Sequence, residues 1–557
     1  MYPSIKLNHI EKKMEQWGEH KRRVYSYCTV CKRLLSEKQQ CLNNSCERFM
    51  MCQANVSGNK TIVTFSLRCQ LEKLIENGIF GKEVMVQGDE SLCSRLKDTP
   101  KYKSKIEEMK LARPDAITLL VSVNCDGFRR RGSKRGEFWP IYLAVHEITQ
   151  GTGKFVEYRP EFVMLPALLQ SSTKLDKGDF SSVFERIFIE IDEIRKNPLK
   201  VTISGQEYDV VVEIFQSVLD MDASRKIHGV PNWKSFKSCS RCTVNGTSIK
   251  LKKGRKIAWF SENMVVQYDA NNIPEKLIKT RLPPPWTDGY DGLHLLYEGT
   301  SRDVLKDLMG RGEKTGYSIN NNIRREWAQA LNNTVNAKGI SSTALLDPIQ
   351  LTSRTGSEIQ QLYNISVPTL VVCVLEPCLW TLMLILHWRT TRVIIDVHLC
   401  REQCEQLLNI SSALRLLVGR FFPRLFTMKF HFVHDHMVKT LNRDGSPLLS
   451  SAAPFERLNQ VLGRASNTFT TRATINMSTR FLGLQQAAFL CNKAVKKTKS
   501  PVAYPSTMQS ELELSMEKDD GLCEAVDLET LSSEEAKYID TQQVKIRTMR
   551  LCCYGKY

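Results

Sequence analysis

Residues 114–131 read PDAITLLVSVNCDGFRRR. The β-prone apolar run from Ile117 to Val123 reads as a buried strand, predicted over Ile117–Cys125. It delivers one carboxylate, Asp126, at its end, and a basic loop follows at once: Arg129, Arg130, Arg131, Lys134 and Arg135. A carboxylate on a rigid strand can hold Mg²⁺, which favours carboxylate oxygens and is often shared with phosphate. The neighbouring guanidinium groups suit phosphate. The plainer alternative is a strand end with an Asp-Gly turn and a solvated basic hairpin loop.

Working outward, Phe138–Glu147 reads as a second strand and Glu161–Leu168 as a third. Phe180–Arg195 places Phe184, Ile187, Ile191 and Ile194 on one face, which predicts a helix. Val210–Leu219 reads as a fourth strand, with a helix as the alternative, and runs into Asp220-Met221-Asp222. The order strand, strand, strand, helix, strand, with acids after the first and last strands, is the layout of a ribonuclease-H-like α/β core.

The chain has 557 residues, long enough for two to four domains with ample core. Its 78 basic against 60 acidic residues give a net charge of +18, favouring a polyanionic partner, nucleic acid before an acidic membrane surface. The N-terminus is polar and charged, without the look of a secretory signal. The 18 cysteines are therefore expected as thiols or zinc ligands rather than disulfides. Val367–Trp388 is apolar enough to raise a membrane span, but Glu376-Pro377 interrupts it. A pair of buried segments in a helical region is the better reading, with no membrane partner.

Seven segments follow. Residues 1–24 are a basic lead-in and 25–55 a zinc-ribbon-like module in which Cys28, Cys31, Cys41 and Cys46 are the ligands, with Cys52 as an alternative to one of them. A segment this short needs a metal to hold it together. Residues 56–113 form a helical or mixed connection, and 114–232 the first part of the core. Residues 233–440 form a mainly helical insertion that contains Cys239-x-x-Cys242 and His431, His434 and His436 within MKFHFVHDHM. Its basic run includes Lys252, Lys253, Arg255 and Lys256, either a nucleic-acid contact or a solvated loop. Asp291 and His294, three apart, fall on one helical face, where a structural histidine is an equal alternative. Residues 441–495 carry the final helix with Glu456 in its first turn, and 496–557 are a polar, then acidic tail.

Four landmarks stand in order: Asn124-Cys125-Asp126-Gly127 with Phe138-Trp139-Pro140-Ile141; Asp222-Ala223-Ser224-Arg225 leading to Cys239-x-x-Cys242; Asp291-x-x-His294-Leu295-Leu296-Tyr297-Glu298-Gly299; and Pro454-Phe455-Glu456-Arg457-Leu458-Asn459. Together they resemble the DDE transposases of CACTA (En/Spm-like) DNA transposons, in the form found as transposase-domain proteins in animal genomes. The resemblance covers roughly residues 25–490. The second landmark is the loosest, since the family has Asp-Ala-Pro-Ala-Arg there.

The resemblance implies a ribonuclease-H-like core split by the helical insertion, with a catalytic triad of Asp126, Asp222 and Glu456 and Asp291 as the rival second acid. These acids would bind Mg²⁺ or Mn²⁺, two ions roughly 3.5–4 Å apart. Water would first free a 3′-hydroxyl at a transposon end, and that hydroxyl would then attack target DNA. By analogy with V(D)J-type recombinases, Cys239 and Cys242 would share a second zinc with His431 and His436, with His434 and His294 as competing ligands. The basic residues 129–131, 134, 135, 252, 253, 255 and 256 would contact phosphate. The implied partners are terminal-repeat DNA, target DNA and further copies of the chain, and the implied location is the nucleus. The alternative is a catalytically silent, domesticated DNA-binding descendant.

Overall fold

The structure is a computed structural model. It describes residues 22–53 (save 29, 32, 34, 37 and 39), 60–76, 96–129, 136–146, 159, 162–309 (save 204, 252, 253, 263–265, 270 and 273–280), 319–337, 354–396, 399–464 and 474–486 (save 476). The tail 496–557 and nearly all of the lead-in 1–24 lie outside the described residues.

The chain is mixed α/β. Its main sheet has seven strands: β1 Arg23–Ser26, β2 Lys60–Thr64, β3 Ala116–Cys125, β4 Glu137–Val145, β5 Val163–Ser171, β6 Leu199–Ile203 and β7 Gln206–Val218. Their spatial order is β1-β2-β5-β4-β3-β7-β6. All pairs are antiparallel except β3 with β7, which run parallel. The expected strands at 117–125, 138–147, 161–168 and 210–219 correspond to β3, β4, β5 and β7. Sequence pattern missed β6, whose alternation of buried and exposed residues marks an edge strand only five residues long. It also placed β1 across the boundary drawn between residues 24 and 25, because four residues carry too little periodicity to read.

β3 is central because it can be buried on both faces. Leu119, Val121, Val123 and Cys125 enter one core, together with Phe180, Phe184, Ile187 and Ile191 of the long helix that follows β5. Leu120 faces the other way and packs with Tyr102, Phe215 and Leu449. Helices flank the sheet: α1 Leu67–Glu76, α2 Pro100–Ala112 and α3 Lys177–Lys196, the last started by a reciprocal Asp176/Asp179 capping box. α4, Met221–His228, follows β7 directly.

The hairpin β8 Thr247–Lys250 and β9 Arg255–Ala258 opens the second half. A π-helical segment, Leu293–Ser301, then leads through α5 Arg302–Leu308 into α6 Asn321–Ala337, α7 Gly356–Cys373, α8 Leu379–Ile394 and α9 Arg401–Phe421. The apolar stretch 367–388 is divided between α7 and α8, and Glu376-Pro377 lies between them. Among the described residues no helix is long and apolar enough to cross a membrane. α10 Met428–His431, a π-helical turn Phe432–Met437 and α11 Val438–Asp444 close this half around its own core. α12, Ala453–Arg464, returns to the sheet and buries Phe455, Leu458 and Leu462 against Phe138, Tyr142 and Val218.

Candidate active site and metal centres

The parallel pairing of β3 with β7 decides the site. Its register ends at Asn124 opposite Val218, and the Asn124 side-chain amide donates to the Val218 carbonyl at 2.7 Å. Two residues beyond each member of this pair stand Asp126 and Asp220. The register slips by one residue where Val121 and Ser122 face Ile214 and Gln216, so Phe215 is a bulge. Without it, Leu219 rather than Asp220 would lie level with Asp126.

The acid after β7 that lies level with Asp126 is thus Asp220 rather than the expected Asp222. Asp220 is the N-cap of α4, still extended at ψ 171°, and accepts from Ala223 N at 2.6 Å. Asp222 lies inside the helix, turned away by about 100° per residue. It is bound by Arg225 and Lys226, both at 2.7 Å, and these bonds hold its carboxyl low against burial. Lys226 also sits 4.1 Å over the Trp139 ring.

Glu456 arrives from the opposite direction in the first turn of α12. Its Oε1 is 3.0 Å from His294 Nε2, and His294 Nδ1 bonds the carboxylate of Asp291. Burial disfavours a charged His294, but Asp291 and then Glu456 outweigh it and carry its pKa up to about 11. Asp291, the rival second acid, is only 3% exposed. It accepts from Leu293 N and Ala452 N at 3.2 and 3.1 Å, tying the 291–294 turn to the entry of α12. Burial opposes its ionisation, and His294 reverses this so that its carboxyl stays below the ordinary value. Asp291 is therefore committed to His294, whereas Asp220 lies beside Asp126.

Asp126 reports the convergence. Burial first, then the charges of Asp220 and Glu456, push its carboxyl from 3.8 up to about 7, with His294 partly compensating. Burial also raises Asp220, with the Ala223 amide and His294 opposing. Asn459, one helical turn beyond Glu456, accepts from the Tyr142 hydroxyl at 3.2 Å and donates to Asp126 at 3.5 Å. Gly127 lets the chain turn beneath Trp139, since a Cβ there would come within 2.3 Å of the indole. Asp126 and Asp220 thus carry raised carboxyls, while the oxygens of Asp126, Asp220 and Glu456 do not all lie within 4.8 Å of one another.

Among the described residues, two clusters can each hold a metal ion. Cys28, Cys31, Cys41 and Cys46 bring their sulfurs within 4.8 Å of one another, with Cys28–Cys46 at 3.7 Å and Cys31–Cys41 at 3.5 Å. A zinc tetrahedron with bonds of about 2.3 Å has edges of about 3.8 Å. Gln53 donates to Cys28 at 3.3 Å and, against burial, helps to lower that thiol to about 6. Cys52 is exposed, bonds the Lys38 carbonyl and stays outside the four.

The second cluster is Cys239, Cys242, His431 and His436. Cys239–Cys242 is 3.5 Å, Cys239 to His436 Nε2 3.4 Å, Cys242 to His431 Nε2 3.3 Å and the two Nε2 atoms 3.0 Å apart. The far nitrogens are anchored, His431 Nδ1 to Asp435 and His436 Nδ1 to Gln267 Oε1, both at 2.7 Å. Such outer partners orient metal-bound imidazoles. Asp435 is held in turn by Arg415. His434 points elsewhere, with Nδ1 2.8 Å from Ser411 Oγ, and His294 belongs to the acids, so neither competes as a ligand.

Of the basic residues, Arg129 is ion-paired to Glu137 at 2.7 Å. Arg255 and Lys256 line a cleft beside Asp220 and His294. Arg130, Arg131, Lys134, Arg135, Lys252 and Lys253 lie outside the described residues. Asp220, Asn459 and Gln267 were missed in the sequence. Only Asp220 carried a signal, as the first acid after a strand and before a helix.

No protein-family model matches this chain, and no curated protein matches it.

Proposed function

We propose that the chain is a metal-dependent DNA nuclease and strand transferase of the DDE-transposase type, with a ribonuclease-H-like core. The observation that carries this reading is that Asp126 and Asp220 follow two adjacent parallel strands in register, with Glu456 of α12 near enough for its charge, like that of Asp220, to raise the Asp126 carboxyl. The β5-β4-β3-β7 order, antiparallel up to β3 and then parallel, supports it, as does the return of α12 to the sheet after a helical insertion. The excess of 18 positive charges suits a polyanionic substrate.

Asp126, Asp220 and Glu456 would hold Mg²⁺ or Mn²⁺, which when bound supplies charge neutralisation at the scissile phosphate and a more acidic water. The chain's own residues prepare that place. Asp291 fixes the His294 ring, and protonated His294 holds Glu456 toward the other two acids. Asn459 restrains Asp126 from the same helix that carries Glu456. Asp220 is locked by its capping bond, leaving its other oxygen for the cation. Rigid placement of charge is most of what phosphoryl transfer asks of a protein. The two cysteine-containing clusters would hold structural zinc, and the Cys239–His431 cluster would join the segment after α4 to the end of the helical half.

The test is cleavage of supercoiled plasmid and joining of 3′-hydroxyl oligonucleotides by the purified full chain in Mg²⁺ or Mn²⁺. Asp126→Ala, Asp220→Ala and Glu456→Ala should each abolish both reactions while duplex binding stays within about threefold; Asp222→Ala should retain activity. Wild-type protein without cleavage in either metal would overturn the enzyme. An active Asp220→Ala beside a dead Asp222→Ala would overturn the site.

A further inference from the structure

The cleft that holds Asp220 and His294 is also lined by residues of a different character. It is open to solvent and offers about 810 Å³, the size of a pocket for a small ligand. One wall is the turn after α4, where Trp233 and Phe236 are 42% and 50% exposed. These two partly exposed rings give the cleft an aromatic wall. The turn is rigid: Asn232 accepts from Lys234 N at 2.9 Å and from Ser235 N at 2.7 Å, and Phe236 O accepts from Gly246 N at 2.7 Å. The Cys239–Cys242 pair pins it three residues later. Lys234, Arg255 and Lys256 rim the same cleft and have no carboxylate partner among the described residues. Of the acids that line the cleft with Asp220, Asp222 is paired with Arg225 and Lys226, and Asp303 lies within electrostatic reach of Lys429.

We propose that this cleft is a stacking site for an unpaired nucleotide of the DNA strand that reaches the acids. The proposal rests on the nuclease reading for the direction of the strand, but its ligand chemistry stands on the cleft alone. In a duplex both faces of a base are covered by its neighbours, so only an unstacked base can lie on Trp233 or Phe236. Fixed aromatic rings accept any base, because every base has a π-face, while the rim cations follow the phosphates. An apolar peptide would leave the three cations without a partner. An unpaired nucleotide satisfies the rings and the cations together, and it puts its own backbone next to Asp220.

The experiment uses the zinc-loaded full chain, Ca²⁺ in place of Mg²⁺, and fluorescent oligo-dT of about 12 nucleotides against a duplex of equal length. Trp233→Ala/Phe236→Ala should weaken oligo-dT binding about ten- to hundredfold and duplex binding less than about threefold. Trp233→Phe/Phe236→Tyr, which keeps the rings, should bind oligo-dT like wild type. Lys234→Ala/Arg255→Ala/Lys256→Ala should lower the slope of log affinity against log salt by about 2. Oligo-dT binding unchanged in the alanine pair, or duplex binding lost equally, would overturn the proposal. The nuclease reading is judged separately by plasmid cleavage: inactive wild type with ring-dependent oligo-dT binding removes that reading and keeps the site, and the converse removes the site alone.

Discussion

Replacing Asp126 by asparagine should stabilise this protein when no divalent cation is present. Asp126 is held at about 7 in the folded chain against an ordinary 3.8, through burial and then through Asp220 and Glu456. At about pH 8 the folded state must carry that carboxylate ionised, whereas the unfolded chain does so without cost. A shift of about three units is about 4 kcal/mol at about 1.4 kcal/mol per unit. The sign follows from proton counting. Between pH 3.8 and about 7 the folded state binds more protons than the unfolded one, so stability falls as pH rises through that window. An asparagine at this position has no such dependence. It keeps a polar burial of its own, so the gain at about pH 8 should be about 2–4 kcal/mol, shrinking to under about 1 kcal/mol at about pH 4. Urea unfolding of wild type and Asp126→Asn at both pH values, in zinc-loaded protein without magnesium, measures it. Added Mg²⁺ should then raise the wild-type midpoint and leave the variant unmoved, because binding to the folded state alone stabilises by mass action. An Asp126→Asn protein no more stable than wild type at the higher pH, or a difference independent of pH, would refute the raised Asp126 carboxyl that burial and then Asp220 and Glu456 impose.

The remaining predictions concern the scaffold. Native protein should carry about two zinc ions per chain by plasma mass spectrometry, and Cys28→Ser and Cys239→Ser should each lose one, with Cys239→Ser also lowering Tm; a zinc-free wild type counts against both centres. Gly127→Ala should cost about 1–3 kcal/mol in urea unfolding, because its Cβ would lie 2.3 Å from the Trp139 ring; a change under about 0.5 kcal/mol means that the turn is looser than described.

Some features of the site are local in origin and were legible in one dimension. β3 is a continuous run of apolar and β-branched residues, so its strand and the acid at its end could be read directly. α3 shows one apolar stripe and a cap. Cys28-x-x-Cys31 and Cys239-x-x-Cys242 are short-range patterns imposed by thiolate geometry. The histidine-rich MKFHFVHDHM was conspicuous, but which of its three imidazoles serve the cluster was not. Residues 431 and 436 are five apart across a π-helical turn, and His434 between them faces Ser411.

The sequence alone determined the chemistry available: an acid at a strand end, two sets of thiols, basic residues, a late glutamate. These follow from side-chain type and from periodicities of two and 3.6 residues, both short-range. Only the tertiary structure decided which acid stands beside Asp126. One bulged residue at Phe215 sets the pairing of β7, and the start of α4 one residue after Asp220 turns Asp222 away to its own lysine and arginine. Only the tertiary structure, likewise, linked Asp291, His294 and Glu456 and brought Trp233, Phe236 and His294 to one cleft. A register shift of one residue changes nothing in local propensity, yet it decides which side chain of a strand meets its neighbour.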